Sequence, residues 1–347
     1  MDTVEEAAKR RGLPKWLVPV FGCGISILSL IWVLPNFHLA QIADDLHRLD
    51  WNWVAVAVVI ELGVYLVDAW RWMVILRPAG APPFLNCLQA VFVGILANDI
   101  LPAKTGEALR CFLLSYESKV PLSLALISDV VLRVMDGLWI LIFYLIIKTQ
   151  METPYVVDGG VWLVGGTMIP AGLVIVWVLF HRNHAHRFLN KSKWAARFLH
   201  LLEEIHRLGH WRELGTAMAI GSLYWVVQAL AIWAICRADN FYFGANAVMY
   251  ILTVKTVATV VPGAPANVGL YQSAVIYAAT KTLYSEPGPA NSLAEIMFVV
   301  LTLPLIVGGA VAIASAGFNL KDLHRHAHEA HSRGKRKVKG EAPQEGD

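Results

Sequence analysis

Six long apolar runs dominate the chain, at 16–34, 51–76, 122–147, 161–181, 213–236 and 291–317. A helix needs about 20 apolar residues to cross the roughly 30 Å of hydrocarbon in a bilayer. Each run meets that length and is expected to span. Trp16, Trp51, Trp53, Trp70, Trp72 and Trp162 stand near the ends of several runs, where aromatic rings favour the membrane boundary. Two further apolar stretches, 84–116 and 244–284, are each broken near the middle by proline and glycine.

Lys and Arg fix the expected orientation, because they collect on the cytoplasmic side of membrane proteins. The 182–212 loop holds Arg182, Arg187, Lys191, Lys193, Arg197, Arg207 and Arg212 against Glu203 and Glu204, and the tail beyond 317 is similarly basic. The 149–160 loop carries Glu152 and Asp158 and no basic residue. The N-terminus, the 182–212 loop and the tail are therefore expected to be cytoplasmic. This works only if each broken stretch enters and leaves on one side, 84–116 from the cytoplasmic face and 244–284 from the outer face. The predicted fold is all-α and polytopic, with six spanning helices and two opposed re-entrant broken-helix hairpins.

That arrangement divides 16–317 into two halves, 16–147 and 161–317, with the same order of parts and opposite starting sides. Each half has two spans, a broken hairpin and a third span, flanked by an N-terminal segment 1–15 and a tail 318–347. The breaks are alike: Pro102 and Gly106 mark the first, and Pro262, Gly263 and Gly269 the second. Bare backbone is costly in lipid and survives only where protein or a wet cavity satisfies it. Interrupted segments at matching places in inverted halves point to the central site of a transporter. The alternative is a pair of kinked helices satisfied by their neighbours.

Composition agrees with a membrane protein. The 347 residues are 56% hydrophobic and 16% charged, against about 25% charged in soluble domains. No soluble domain is expected, and a net charge of +3 does not suggest nucleic acid. Cys23, Cys87, Cys111 and Cys236 lie singly in apolar stretches and read as packing residues. The first run is too long for a secretory signal and no small-residue cleavage site follows it. The 182–212 loop places Phe188, Trp194, Phe198, Leu201, Leu202 and Ile205 at helical spacing among basic residues, as in a helix lying on anionic lipid. His324, His326, His328 and His331 sit among Lys and Gly and read as a solvated tail, so no metal is assigned there.

Charged residues inside the apolar stretches carry the candidate chemistry, because charge at bilayer depth is costly and must face protein or water. Lys104, Glu107 and Arg110 follow the first break, and Glu107 and Arg110 share a helix face. A half-helix N-terminus beside Arg and Lys makes a seat for a phosphate; the same residues could instead form a structural ion pair. Asn98 and Asp99 precede the break and could line it. Lys255, Asn267 and Gln272 supply the polar lining of the second half. Asp129, Arg133 and Asp136 share one face of a span, with Arg133 neutralised between the two acids, and Glu61 lies deep enough in its span to need a partner. No Walker A loop, GxSxG, HExxH or EF-hand loop is found, and no catalytic residue or cofactor is assigned.

The run Asn98-x-x-Leu101-Pro102-x-Lys104-x-Gly106-Glu107-x-x-Arg110 resembles the signature of the transmembrane region of lysylphosphatidylglycerol synthases and of flippase-like proteins sharing it. Arg71-Trp72 resembles the RW end of that family's second span, and Arg133-x-x-Asp136 part of its ER-x-x-D motif. The second break resembles its P-x-x-x-GG-x-G-x-x-E motif. The chain departs from it with Leu132 for the motif Glu, Ala266 and Asn267 for the glycine pair, and Gln272 for the final Glu. The resemblance implies the lipid-translocating part alone, since nothing after 317 reads as an aminoacyl-transferase domain. The expected function is movement of a lipid with an anionic head, a phospholipid or a polyprenyl-phosphate-linked sugar, between leaflets of the cell membrane. Arg110 and Lys104 would hold the phosphate, with Glu107 orienting Arg110, and Arg110→Ala would abolish transport in a folded protein. The alternatives are a non-catalytic membrane partner of a lipid or glycan pathway, acting with a pathway protein or as a homo-oligomer, and a membrane-embedded glycosyl- or acyltransferase using Glu107 or Asp99 as base.

Overall fold

A computed structural model describes residues 47–100, 105–180, 211–260, 267–282 and 285–315. These form the helices α1 (Trp51–Leu76), α2 (Phe84–Ile100), α3 (Gly106–Glu117), α4 (Leu122–Lys148) and α5 (Tyr155–Phe180). They continue with α6 (Trp211–Ala238), α7 (Ala245–Val260), α8 (Leu270–Tyr277) and α9 (Pro287–Ser315), and no strand occurs among the described residues. Helices α1, α4, α5, α6 and α9 are long and apolar enough to cross a membrane. They coincide with five of the six expected spans. The sixth, 16–34, lies outside the described residues, as do the N-terminal segment, residues 181–210 of the basic loop, and the tail with its histidines.

Apolar side chains such as Val59, Leu163, Val174, Val299 and Val311 point outward and are more than a third exposed, as expected of a surface solvated by lipid. The ends of α1 follow from local chemistry. Asp50 accepts a hydrogen bond from the Asn52 amide at 2.9 Å, capping the first turn. Its own amide donates to the Ala238 carbonyl at 3.0 Å, which ties the start of α1 to the end of α6. Farther along, Gly63 meets Val227 and Gly221 meets Arg71, so α1 and α6 run antiparallel. In the inverted repeat expected from sequence these two helices would be equivalent, which requires them to run in opposite directions.

The first broken stretch closes on itself. Asn86 donates to the Glu117 carbonyl at 3.0 Å, Gly94 touches the Arg110 side chain, and Asn98 donates to Glu107 at 3.0 Å. That register makes α2 and α3 an antiparallel hairpin. A Cβ on Gly106 would lie 2.0 Å from the Gly94 carbonyl oxygen, so only glycine permits this approach. In the second stretch α7 packs on α8, with the Lys255 ammonium 5.7 Å from the centre of the Tyr271 ring. Gly269, which opens α8, has φ 87°, a left-handed conformation that glycine adopts without strain.

The packing of the halves is reciprocal. Helix α2 lies against α9 just as α7 lies against α4, and α3 packs on α4 as α8 does on α9. Two apolar cores result. One joins the α2–α3 hairpin to the C-terminal half of α1 and the N-terminal parts of α4 and α6. The other joins α7 and α8 to the opposite ends of those same three helices. The two hairpins therefore sit at opposite ends of the bundle.

A charged cavity between the hairpins as the candidate functional site

Three arginines and four carboxylates from α1, α3 and α4 meet inside the bundle. Arg71, 1% exposed, grips both oxygens of Asp136 at 2.5 and 3.2 Å and reaches Asp68 at 3.0 Å. Its guanidinium lies 4.9 Å from the centre of the Tyr224 ring on α6. Arg110, 2% exposed, pairs with Asp129, with Glu107 at 3.1 Å and with Asp68 at 3.6 Å, and stacks 5.0 Å from the Trp72 ring centre. Trp72 in turn donates its indole hydrogen to Ser128 at 2.8 Å. Arg133 contacts both oxygens of Glu107 at 2.7 Å and lies 3.9 Å from Asp136, yet 46% of its side chain stays exposed.

The network borders a cavity of about 440 Å³, within the range that holds small ligands. Glu107, next to the first break, lines it together with Thr256, Thr259 and Val260 at the end of α7, next to the second. Residues flanking both breaks thus share one cavity. Arg133 and Lys255 are the cations in its wall; Asp129 and Asp136 are its other acids, and Tyr224 and Gln228 of α6 face it from the side. Val164, Met168, Ile140 and Trp225 give it an apolar flank. The buried indole nitrogen of Trp225 has no hydrogen-bond partner, an unusual state for a buried donor.

The structure distributes the residues read from sequence unevenly. Asn98, Glu107, Arg110, Asp129, Arg133 and Asp136 converge, and the Glu107–Arg110 pairing is present. The partners differ from those expected within α4. Asp129 binds Arg110 and Asp136 binds Arg71, so Arg133 turns to Glu107 and to the cavity. Arg110 itself does not line the cavity, because four neighbours enclose it. Glu61 is buried one turn from Tyr65, whose hydroxyl donates to it, and Lys255 is the cation whose charge acts on it without pairing. Gln272 turns back to accept the Gly269 amide at 2.8 Å, capping α8, and is buried away from the cavity. Asn267 adopts a left-handed φ of 50° at the second break, and Asp99 ends α2 beside Tyr65. Lys104, Pro102, Pro262 and Gly263 lie outside the described residues.

Sequence reasoning passed over Tyr224, Gln228, Thr256 and Thr259. Gln228 is an amide in an otherwise apolar span, one turn after Tyr224, and that spacing was the available signal.

The chain is 29% identical over 126 residues to the UPF0104 membrane protein MJ1595 of Methanocaldococcus jannaschii, a match covering 35% of this chain and 38% of that protein. The chain thus spans well under two thirds of that relative's length. No solved structure matches it. The model of the lysylphosphatidylglycerol synthase TM region matches residues 20–309, a stretch holding four described spans whole, the fifth as far as residue 309, both hairpins and the cavity. The chain is a multi-pass integral membrane protein and belongs to the lysylphosphatidylglycerol synthase TM region family.

Proposed function

We propose that the protein moves an anionic-headgroup lipid, a phospholipid or a polyprenyl-phosphate-linked sugar, between the two leaflets of the cell membrane. The observation that carries this reading is the cavity between two opposed hairpins, with Arg133 and Lys255 in its wall and Glu107 as the counter-ion a headgroup would displace. A phosphate matches the planar fork of Arg133. Arg110 acts as a positioning residue that holds Glu107 and Asp129 in place. Lys104, at the break, would join the phosphate as the headgroup passes.

The accompanying topology has six spans, with 16–34 as the first, and both termini in the cytoplasm. The α2–α3 hairpin enters from the cytoplasmic face and the α7–α8 hairpin from the outer face. Such hairpins let broken backbone line a cavity rather than meet lipid, and the basic 182–212 loop rests on anionic lipid.

Mass spectrometry of lipids co-purifying with the wild type and with Arg133→Gln tests the binding step. Enrichment of one phosphate-bearing lipid on the wild type and its loss from the variant is expected. Identical bulk lipid on both would remove the headgroup assignment and leave the non-catalytic partner role in front.

A further inference from the structure

Glu61 stands near the middle of α1, within a span, and is 5% exposed. Asp68, Glu107, Asp129 and Asp136 each touch an arginine. Glu61 forms no ion pair with a described residue, and its Oε2 has no hydrogen-bond partner. A carboxyl group in such a place is neutralised by a cation or by a proton, because an isolated buried charge costs far too much.

The groups facing it decide between the two. Lys255 of α7 is the cation whose charge it feels, and Tyr65 and Tyr271 are the phenols beside it, from α1 and α8. Asp99 of α2 and Tyr224 of α6 act on Tyr65. From α9 the contact is the Leu301 carbonyl, which accepts from the Tyr65 hydroxyl at 3.5 Å. Helix α4 also packs on α1, and its acids Asp129 and Asp136 are held by Arg110 and Arg71. Lys255 is therefore the one cation facing Glu61 among the described residues, and the same Lys255 lines the cavity.

From this arrangement we infer that Glu61 is a proton-binding site that exchanges Lys255 for a proton when an anionic headgroup engages that lysine, an inference resting on the function proposed above. When phosphate draws the Lys255 ammonium toward the cavity, the Glu61 carboxylate loses its counter-charge. One proton from cavity water then adds to a carboxylate oxygen, forming an O–H bond and no other. When the headgroup leaves, Lys255 returns and the proton departs to water. Tyr65 relays the change. Its single phenolic proton serves either the Glu61 carboxylate or the Leu301 carbonyl, so protonating Glu61 frees it for α9 and fastens α1 to that helix. Headgroup binding takes up a proton and should tighten as pH falls.

Infrared difference spectroscopy reads this directly on the full chain in phosphatidylcholine vesicles. Adding phosphatidylglycerol should raise the carbonyl band of a protonated carboxylic acid in the wild type, and Glu61→Gln should lose that band. Lys255→Gln, which removes the counter-charge, should show the band with no added lipid. A band indifferent to phosphatidylglycerol, one retained in Glu61→Gln, or none in Lys255→Gln would overturn the inference. Movement of tagged phosphatidylglycerol across the same vesicles separates the two readings. Movement without the band response defeats the proton site alone, whereas a band response without movement keeps the site and defeats translocation.

Discussion

Arg110 and Arg133 lie on adjacent elements and share Glu107, yet burial gives them different work. Arg110 is enclosed by Asp129, Glu107, Asp68 and the Trp72 ring. Removing one member of a buried, hydrogen-bonded ion pair leaves uncompensated charge and costs about 3–5 kcal/mol. Arg110→Ala should therefore lower the unfolding midpoint sharply in detergent, so any loss of transport in that variant reports on folding as much as on function. This differs from the expectation drawn from sequence, where Arg110 was the ligand contact in a protein that stays folded. Arg133 is half exposed to the cavity, and without it Glu107 is still held by Arg110 and Asn98. Arg133→Gln should unfold within a few degrees of the wild type. If Arg133→Gln proves the more destabilised of the two, the division into a buried positioning arginine and a cavity arginine is wrong.

At the scale of elements, the α2–α3 hairpin depends on contact between small residues. Gly106 approaches the Gly94 carbonyl and Asn98 so closely that a methyl group has no room. Forcing one in displaces backbone, at a cost of about 1–3 kcal/mol or more. Gly106→Ala should lower the thermal midpoint and push Glu107 away from Arg133. Gly215→Ala on α6, where a Cβ meets open space, should leave the midpoint unchanged. The spans were legible in the sequence because length and apolar content alone decide whether a helix can cross a bilayer. The breaks were legible as Pro and Gly clusters, and the motif residues did converge. The partners were not legible, since periodicity relates residues on one helix and says nothing of the helix opposite. Asp129 and Arg133 are four apart on α4, yet Asp129 turns to Arg110 on α3. Gln272 likewise looked like cavity lining, but the helix end at Gly269 needed its oxygen. Tyr224, Gln228, Thr256 and Thr259 belong to no motif, and only packing brings them to one wall.

At the scale of the whole molecule, reciprocal helix packing brings residues flanking the two breaks to one cavity. The halves are not equal chemically. The first contributes the arginine–carboxylate network, and the second contributes Lys255 and neutral polar groups. The most direct measurement follows tagged phosphatidylglycerol across phosphatidylcholine vesicles containing the full chain, using a membrane-impermeant quencher to count molecules in the outer leaflet. The account predicts that the wild type equilibrates the tagged lipid between leaflets and that Arg133→Gln slows this at least tenfold. Equal rates for the wild type, Arg133→Gln and protein-free vesicles would contradict it.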